Sequence, residues 1–286
     1  MGLGLSILVP VYNWNVNAFI VELHKQASLL KIPFEILVYD DASDKKQPTT
    51  FDHLPFVKYQ ILTENIGRSK IRNLLASHSK YDVLLFLDGD SYPKHSDFLD
   101  QYLKAFNNKN TILCGGTAYN ELLDGEEPTL RWVYGKEREE GALVKKGFAS
   151  NNFLMDKTAF MSVQFDENIK GYGHEDTLFG IECEKNGFSI ETCYAPLLHL
   201  GLEADDVFIR KTKEGVRNLH KLYSQNKVTK EHSKLIEFHE KLKFRGLIRV
   251  ALIPILPVLH ILVTFFYNLR AFDILKWYWF SSKSIK

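Results

Sequence analysis

Apolar residues in the first hundred positions fall into short unbroken runs separated by stretches of helical spacing. Leu5 to Val11 (LSILVPV), Phe34 to Tyr39 (FEILVY), Val57 to Leu62 (VKYQIL) and Val83 to Leu87 (VLLFL) have strand length. The unbroken run Val83 to Leu87 predicts a strand covered on both faces, as in a parallel sheet. Between them, Phe19, Ile20, Leu23, Ala27 and Leu30 are spaced for one face of a helix over about 18–30. Ile71, Leu74 and Leu75 do the same over about 69–79. Strand, helix, strand, strand, helix, strand predicts an α/β domain with a mixed, mostly parallel sheet flanked by helices. Further along, 97–106 reads as a helix, 111–116, 148–155 and 190–195 as strands, and the segment after Glu175 as a helix.

Every early run stops at polar residues: Tyr12-Asn13, Asp40-Asp41, Asn65, and Asp88-Gly89-Asp90. In a parallel sheet those ends share one rim, where open α/β folds bind ligands. Two carboxylates two residues apart suit Mg²⁺ or Mn²⁺ carrying a diphosphate, since such ions keep positions open for phosphate oxygens. Asp-Gly-Asp is equally good turn chemistry, and an acidic pair such as Asp40-Asp41 serves equally as a turn or cap. Neither Gly-x-Gly-x-x-Gly after the first strand nor Gly-x-x-x-x-Gly-Lys-Ser/Thr occurs, so the dinucleotide fingerprint and the phosphate loop are both missing.

Composition narrows the class further. At 286 residues the chain fits one large domain or one domain with an appendage, and 45% hydrophobic residues suffice for a sizeable core. With Lys+Arg 36 against Asp+Glu 35 the net charge is +1, which gives no global field for nucleic acid. Cys114, Cys183 and Cys193 are too widely spaced for a zinc pattern or disulfide framework and point to a reducing compartment. The start of the chain lacks a basic region and a small-residue cleavage site, so no signal peptide is expected.

Val9-Pro10-Val11-Tyr12-Asn13, Asp40-Asp41-Ala42-Ser43, Asn65-Ile66-Gly67-Arg68 with Arg72-Asn73, and Leu87-Asp88-Gly89-Asp90 together resemble the family 2 inverting glycosyltransferases of the GT-A fold. The resemblance covers about the first 100 residues, with the motifs in the family's order. It implies that the Pro10–Tyr12 loop and Asp41, or its neighbour Asp40, hold the uracil of a UDP-sugar. It further implies that Arg68 lies near the nucleotide, that Asp88 and Gly89 lie near ribose or metal-bound water, and that Asp90 binds the metal.

The second informative stretch is Gly171-Tyr172-Gly173-His174-Glu175-Asp176. An acidic pair opening a helix is good capping chemistry. The stretch is also similar to the Gly-x-Gly-x-Glu-Asp segment of inverting galactosyl- and N-acetylgalactosaminyl-transferases and related bacterial polymerases. That likeness implies Asp176 as general base with Glu175 as its partner, and acceptor contacts from Tyr172, Gly173, His174 and Glu175. It also implies His199 as a metal ligand with Asp90, with Asp88 near the same Mn²⁺ or Mg²⁺; imidazole is an acceptable ligand for Mn²⁺. Asn151 and Asn152 offer donors and acceptors suited to sugar hydroxyls, or to a turn. The polar stretch 121–146 reads as an active-site loop or a solvated helix and loop, with Trp132 and Tyr134 available for sugar stacking or for a core.

Beyond the catalytic domain, expected at 1–204, the stretch 205–245 is charged and helical, a connector, and 246–286 is an apolar tail. Val250 to Leu269 is almost wholly apolar and flanked by Arg249 and Arg270. Its roughly 20 residues suffice to cross a bilayer, but Pro254, Pro257 and His260 suit a segment that dips into one face. Trp277-Tyr278-Trp279-Phe280 with Lys276, Lys283 and Lys286 reads as an interfacial anchor. The alternative is a helical hairpin packed on the catalytic domain or on a second subunit, a homo-oligomer. The expectation is a metal-dependent inverting transferase at the cytoplasmic face, peripheral or monotopic, moving sugar from a UDP-sugar to a glycan or lipid-linked acceptor. The rivals are a non-catalytic nucleotide-sugar-binding subunit of a membrane glycan-assembly complex and a nucleotidyltransferase.

Overall fold

The computed structural model describes residues 3–45, 48–140 and 148–282. Lys283, Lys286 and positions 141–146 of the polar stretch lie outside the described residues. The chain divides into two compact units: Met1–Glu121, Arg138–Asn168 and Glu175–Gly201 form the first, and Leu122–Glu137, Ile169–His174 and Leu202–Lys286 the second.

The first unit opens with β1 (Leu5–Val11), α1 (Asn17–Leu29), β2 (Phe34–Asp40), β3 (Val57–Ile61), α2 (Arg68–His78) and β4 (Val83–Leu87). It continues through β5 (Ser91–Pro93), α3 (Phe98–Ala105), β6 (Thr111–Cys114) and β7 (Thr117–Ala118). After α4 (Leu130–Tyr134), which belongs to the second unit, come β8 (Asn152–Asp156), α5 (Lys157–Val163), α6 (Glu175–Lys185), β9 (Ser189–Thr192) and β10 (Leu197–His199). Seven strands form one sheet in the order β3-β2-β1-β4-β8-β6-β9. The pairs among β1 to β4 and the β6–β9 pair are parallel, whereas β8 runs antiparallel to β4 and β6.

Every residue of β4 is buried, because successive side chains leave the strand on opposite faces and both faces are covered. Ile7, Val9, Leu85 and Leu87 pack with Phe19, Ile20 and Leu23 of α1 on one side. Leu8, Leu84 and Phe86 pack with Ile71 and Leu75 of α2 and with Phe160 and Phe179 on the other. A second sheet, β5-β10-β7, was invisible in the apolar pattern; its strands are two or three residues long. The strand expected to run to Ala195 ends at Thr192, and β10 then pairs antiparallel with β5, setting His199 opposite Ser91.

The second unit contains α7 (Asp205–Ser224), α8 (Lys234–Lys241), α9 (Arg245–Leu252), a 3₁₀ turn (Ile253–Ile255), α10 (Leu256–Phe266) and α11 (Leu269–Phe280). Phe208 of α7 lies 5.4 Å from the ring of Tyr134 and 5.8 Å from Phe272 of α11. The charged stretch expected as a connector and the apolar tail therefore share one core. Amphipathic spacing buries Phe208, Val216, Leu219 and Leu222 of α7 and leaves its charges outward. Tyr134 serves this core.

Asn152 joins the two sheets of the first unit. Its Nδ2 donates to Gly116 O (3.0 Å) and Ala195 O (2.7 Å), and its Oδ1 accepts from Tyr102 Oη (2.6 Å). Asn152→Ala leaves these buried groups without partners and is expected to cost about 2–3 kcal/mol. A lower urea midpoint at unchanged m-value checks this.

Candidate active site

The rim at the ends of β1, β2 and β4 is held together by hydrogen bonds between loops. Asp41 N–H donates to Val11 O (2.8 Å), Asn13 N–H to Ser43 Oγ (2.7 Å), and Tyr12 Oη to Asp44 Oδ2 (3.2 Å). A Cβ on Gly89 would lie 3.0 Å from Pro10 O, so the Asp88–Asp90 turn sits tightly against the end of β1. Asp40 and Asp41 are both buried. Asp40 accepts from Ser43 N–H (2.7 Å) and Tyr59 Oη (3.0 Å). Asp41 accepts from the backbone N–H groups of Ile66 (2.7 Å) and Gly67 (2.9 Å). Burial pushes the Asp41 carboxyl above the ordinary range, and those two donors act against the shift. Gly67 sits at φ +85, a left-handed conformation that glycine adopts freely, and α2 begins at the next residue.

Helix α2 supplies two arginines one turn apart. The Arg68 guanidinium pairs with Glu175 Oε1 at 3.1 Å. Arg72 is buried; its Nη2 meets Asp88 Oδ1 at 2.6 Å, its Nη1 donates to Arg68 O (3.3 Å), and its guanidinium lies over the Phe165 ring at 5.6 Å. The sequence assigned Arg72 no role. Its signals are its place in the Arg72-Asn73 pair that carries part of the family resemblance and the four-residue spacing from Arg68, which places both on one helical face. Asn151 touches the same turn: its backbone oxygen accepts from Asp88 N–H (2.9 Å) and its Nδ2 donates to Thr117 Oγ1 (3.0 Å). Asn152, expected with it as a sugar contact, is instead buried with both side-chain atoms bonded inside the fold.

Asp90 and His199, 109 positions apart in the sequence, are brought together. Pairing of β10 with β5 puts His199 Nδ1 3.8 Å from Asp90 Oδ1, and Leu200 N–H donates to Asp90 O (2.8 Å). The Tyr119 ring meets the His199 ring edge-on at 5.8 Å. Gly201 passes so close that a Cβ there would lie 3.0 Å from Asp90 Cγ and closer still to its Oδ2. A hard carboxylate oxygen and an imidazole nitrogen side by side are acceptable donors for Mn²⁺ or Mg²⁺. Among the described residues no group of three or more His, Cys, Asp or Glu side chains gathers into a closed metal site.

Glu175 and Asp176 occupy the first turn of α6, where the helix dipole favours negative charge. Glu175 is buried, and its Oε2 has no hydrogen-bond partner among the described residues. Burial, then the charge of Glu175, raises the Asp176 carboxyl to about 6, while Thr177 N–H, Arg68 and Arg72 pull it down. Although Asp176 keeps some exposed surface, the crowding of its carboxyl by protein dominates this shift. Tyr172, Gly173 and His174 belong to the second unit. There Tyr172 N–H donates to Glu214 Oε1 (3.0 Å), and Asn218 Nδ2 donates to Tyr172 O (2.9 Å). Gly173, at φ +93, lets Gly215 of α7 approach its missing Cβ position to 3.1 Å. Gly173, expected as an acceptor contact, thus packs against α7.

A mostly parallel sheet with acids gathered at its strand ends and one antiparallel strand, β8, inside it is the GT-A arrangement. The chain belongs to glycosyl transferase family 2, whose family model matches residues 6–169, more than half of its length. Among solved structures, S. aureus TarS 1-349 matches with a TM-score of 0.47 and 19% identity over 76% of this chain and 65% of that one. The same TarS fragment in complex with UDP-GlcNAc gives 0.46 and 18% over 76% and 66%, and a longer TarS structure 0.46 and 20% over 75% and 39%. The chain thus spans under two thirds of these relatives' lengths. No curated protein matches it.

Because Gly201 has no left-handed φ, alanine fits its backbone and the added methyl acts on Asp90. Gly201→Ala is expected to leave the melting temperature near wild type and to displace the Asp90 carboxylate from His199, read from a crystal structure of the variant.

Proposed function

We propose that this chain is a metal-dependent inverting glycosyltransferase that moves a sugar from a nucleotide diphosphate donor, a UDP-sugar, to a hydroxyl of a glycan or lipid-linked acceptor. The observation that carries this reading is the connection between two acidic centres. Glu175, next to Asp176 at the start of α6, is joined through Arg68 and Arg72 to Asp88, two residues from the Asp90–His199 pair. Membership of glycosyl transferase family 2 supports the reaction class.

Asp90 and His199 would hold the divalent ion, and their chemistry fits it. When bound, such an ion supplies positive charge that offsets the charge growing on a departing diphosphate. Asp88 is committed through Oδ1 to Arg72 and so acts as a brace for the turn that carries Asp90. The loop of Pro10 to Tyr12 and the Asp40-Asp41 end of β2 form the rim assigned to the base of the nucleotide. Asp176 takes the proton of the acceptor hydroxyl as that oxygen bonds to the anomeric carbon. The bond from this carbon to the diphosphate oxygen breaks on the opposite side, so configuration inverts. One carboxylate as base suffices, and no protonated partner is needed, unlike a glycosidase pair.

A screen for UDP release over nucleotide sugars, with and without Mn²⁺, tests the reaction. Asp176→Asn is expected to lower turnover by about 10²–10⁴-fold with UDP binding retained. Binding of UDP without turnover in the wild type, or near-normal turnover in Asp176→Asn, overturns the assignment.

The pH dependence has a definite sign. A base held at about 6 gives activity that rises with pH across that value. Glu175→Gln removes a charge that raises Asp176 and moves the limb to lower pH, whereas Arg68→Gln moves it to higher pH. Because folding raises this pKa, Asp176 contributes stability that is present at low pH and lost as pH rises through about 6. Asp176→Asn should therefore melt no lower than wild type at pH 8, by calorimetry.

A further inference from the structure

The helical run Arg245–Phe266 has a mean hydropathy of 2.2 and is long enough to cross a bilayer, yet its packing sets it flat. Tyr267, in the left-handed region at φ 47, and Asn268, whose Oδ1 accepts from Ala271 N–H (2.9 Å), turn the chain back into α11. Leu259 and Val263 face inward, where α10 packs on α11. Arg249 ties α9 to the far end of α11, its guanidinium 4.8 Å from the Tyr278 ring and its Nη2 donating to Ser282 Oγ (3.3 Å). Helix α11 in turn packs on α7, which carries Arg210, Lys213, Glu214 and Arg217. A charged helix of this kind cannot enter hydrocarbon, so the run lies along the second unit rather than projecting from it.

Its outer face is continuous and apolar. Leu247, Val250, Pro254, Val258, Ile261 and Phe265 recur at offsets that put them on one side of a helix, and all are exposed, Leu247 by 71% and Phe265 by 76%. From Lys241 to Phe272 there is no acidic residue, while Lys243, Arg245 and Arg270 stand exposed near the two ends of the run. An apolar stripe bounded by cations is complementary to a bilayer surface with negative headgroups. We propose that this face inserts in the plane of one leaflet of an anionic membrane, with α11 and α7 remaining on the water side. The proposal rests on the second unit alone and is independent of the sugar-transfer reading.

The test uses the full chain and flotation with vesicles of phosphatidylcholine, with and without phosphatidylglycerol. Binding to phosphatidylglycerol vesicles without detergent is expected, about tenfold or more tighter than to phosphatidylcholine alone. The double substitution V258E/I261E, on exposed positions, should abolish flotation with an unchanged circular dichroism spectrum and unchanged UDP binding. Depth is read with Lys243→Cys and Arg270→Cys, since the native cysteines are buried. Both should react with an impermeant maleimide added outside the vesicles. Protection of one of them means a spanning helix and overturns the in-plane geometry. Protein that stays unbound, or a detergent-free dimer that V258E/I261E splits without any flotation, overturns the membrane as the partner.

Discussion

Two backbone hydrogen bonds set the register of the whole acidic rim: those from Ile66 and Gly67 to the carboxylate of Asp41. They fix where α2 begins, and α2 carries the two guanidinium groups that let so many carboxylates share a small volume. At its first residue Arg68 reaches Glu175; one turn later, Arg72 reaches Asp88. Glu175 and Arg72 are the buried members of these two pairs, and a buried charge left without its partner is costly. The arrangement is therefore all or nothing. Starting α2 one residue earlier or later would rotate both arginines by about 100° and leave the acids unpaired.

How much of this the sequence reveals depends on length and periodicity. β1, β2 and β4 are runs of five to seven residues buried on both faces, and such runs have few alternative explanations. Their polar ends could be put on one rim because parallel strands share a direction. β5, β7 and β10, by contrast, are too short to carry a period, so the pairing that seats His199 beside Asp90 left no trace in the apolar pattern. Its location came from likeness to a family. Asn152 shows the opposite failure: an amide beside a strand looks the same whether it faces a sugar or the core, and only the positions of Tyr102, Gly116 and Ala195 decide. The stretch from Asp205 read as a connector because charge dominates its composition, whereas its spaced apolar residues share a core with Phe272 and Tyr134.

The acids at the rim divide by what surrounds them. Asp40 and Asp41 each accept two donors from within the fold, which binds them into loop architecture. Asp176 is balanced instead. Burial and the charge of Glu175 raise it; Thr177 N–H and the two arginines of α2 lower it, and the outcome is about 6. Because Arg68 pairs with Glu175, the two act on Asp176 nearly as a dipole, and neither charge alone fixes its proton affinity. A carboxylate poised there is ionised at neutral pH yet basic enough to accept a hydroxyl proton, which an exposed aspartate at its ordinary value does less well. The ion pairs of the rim thus also tune the carboxylate proposed as the base.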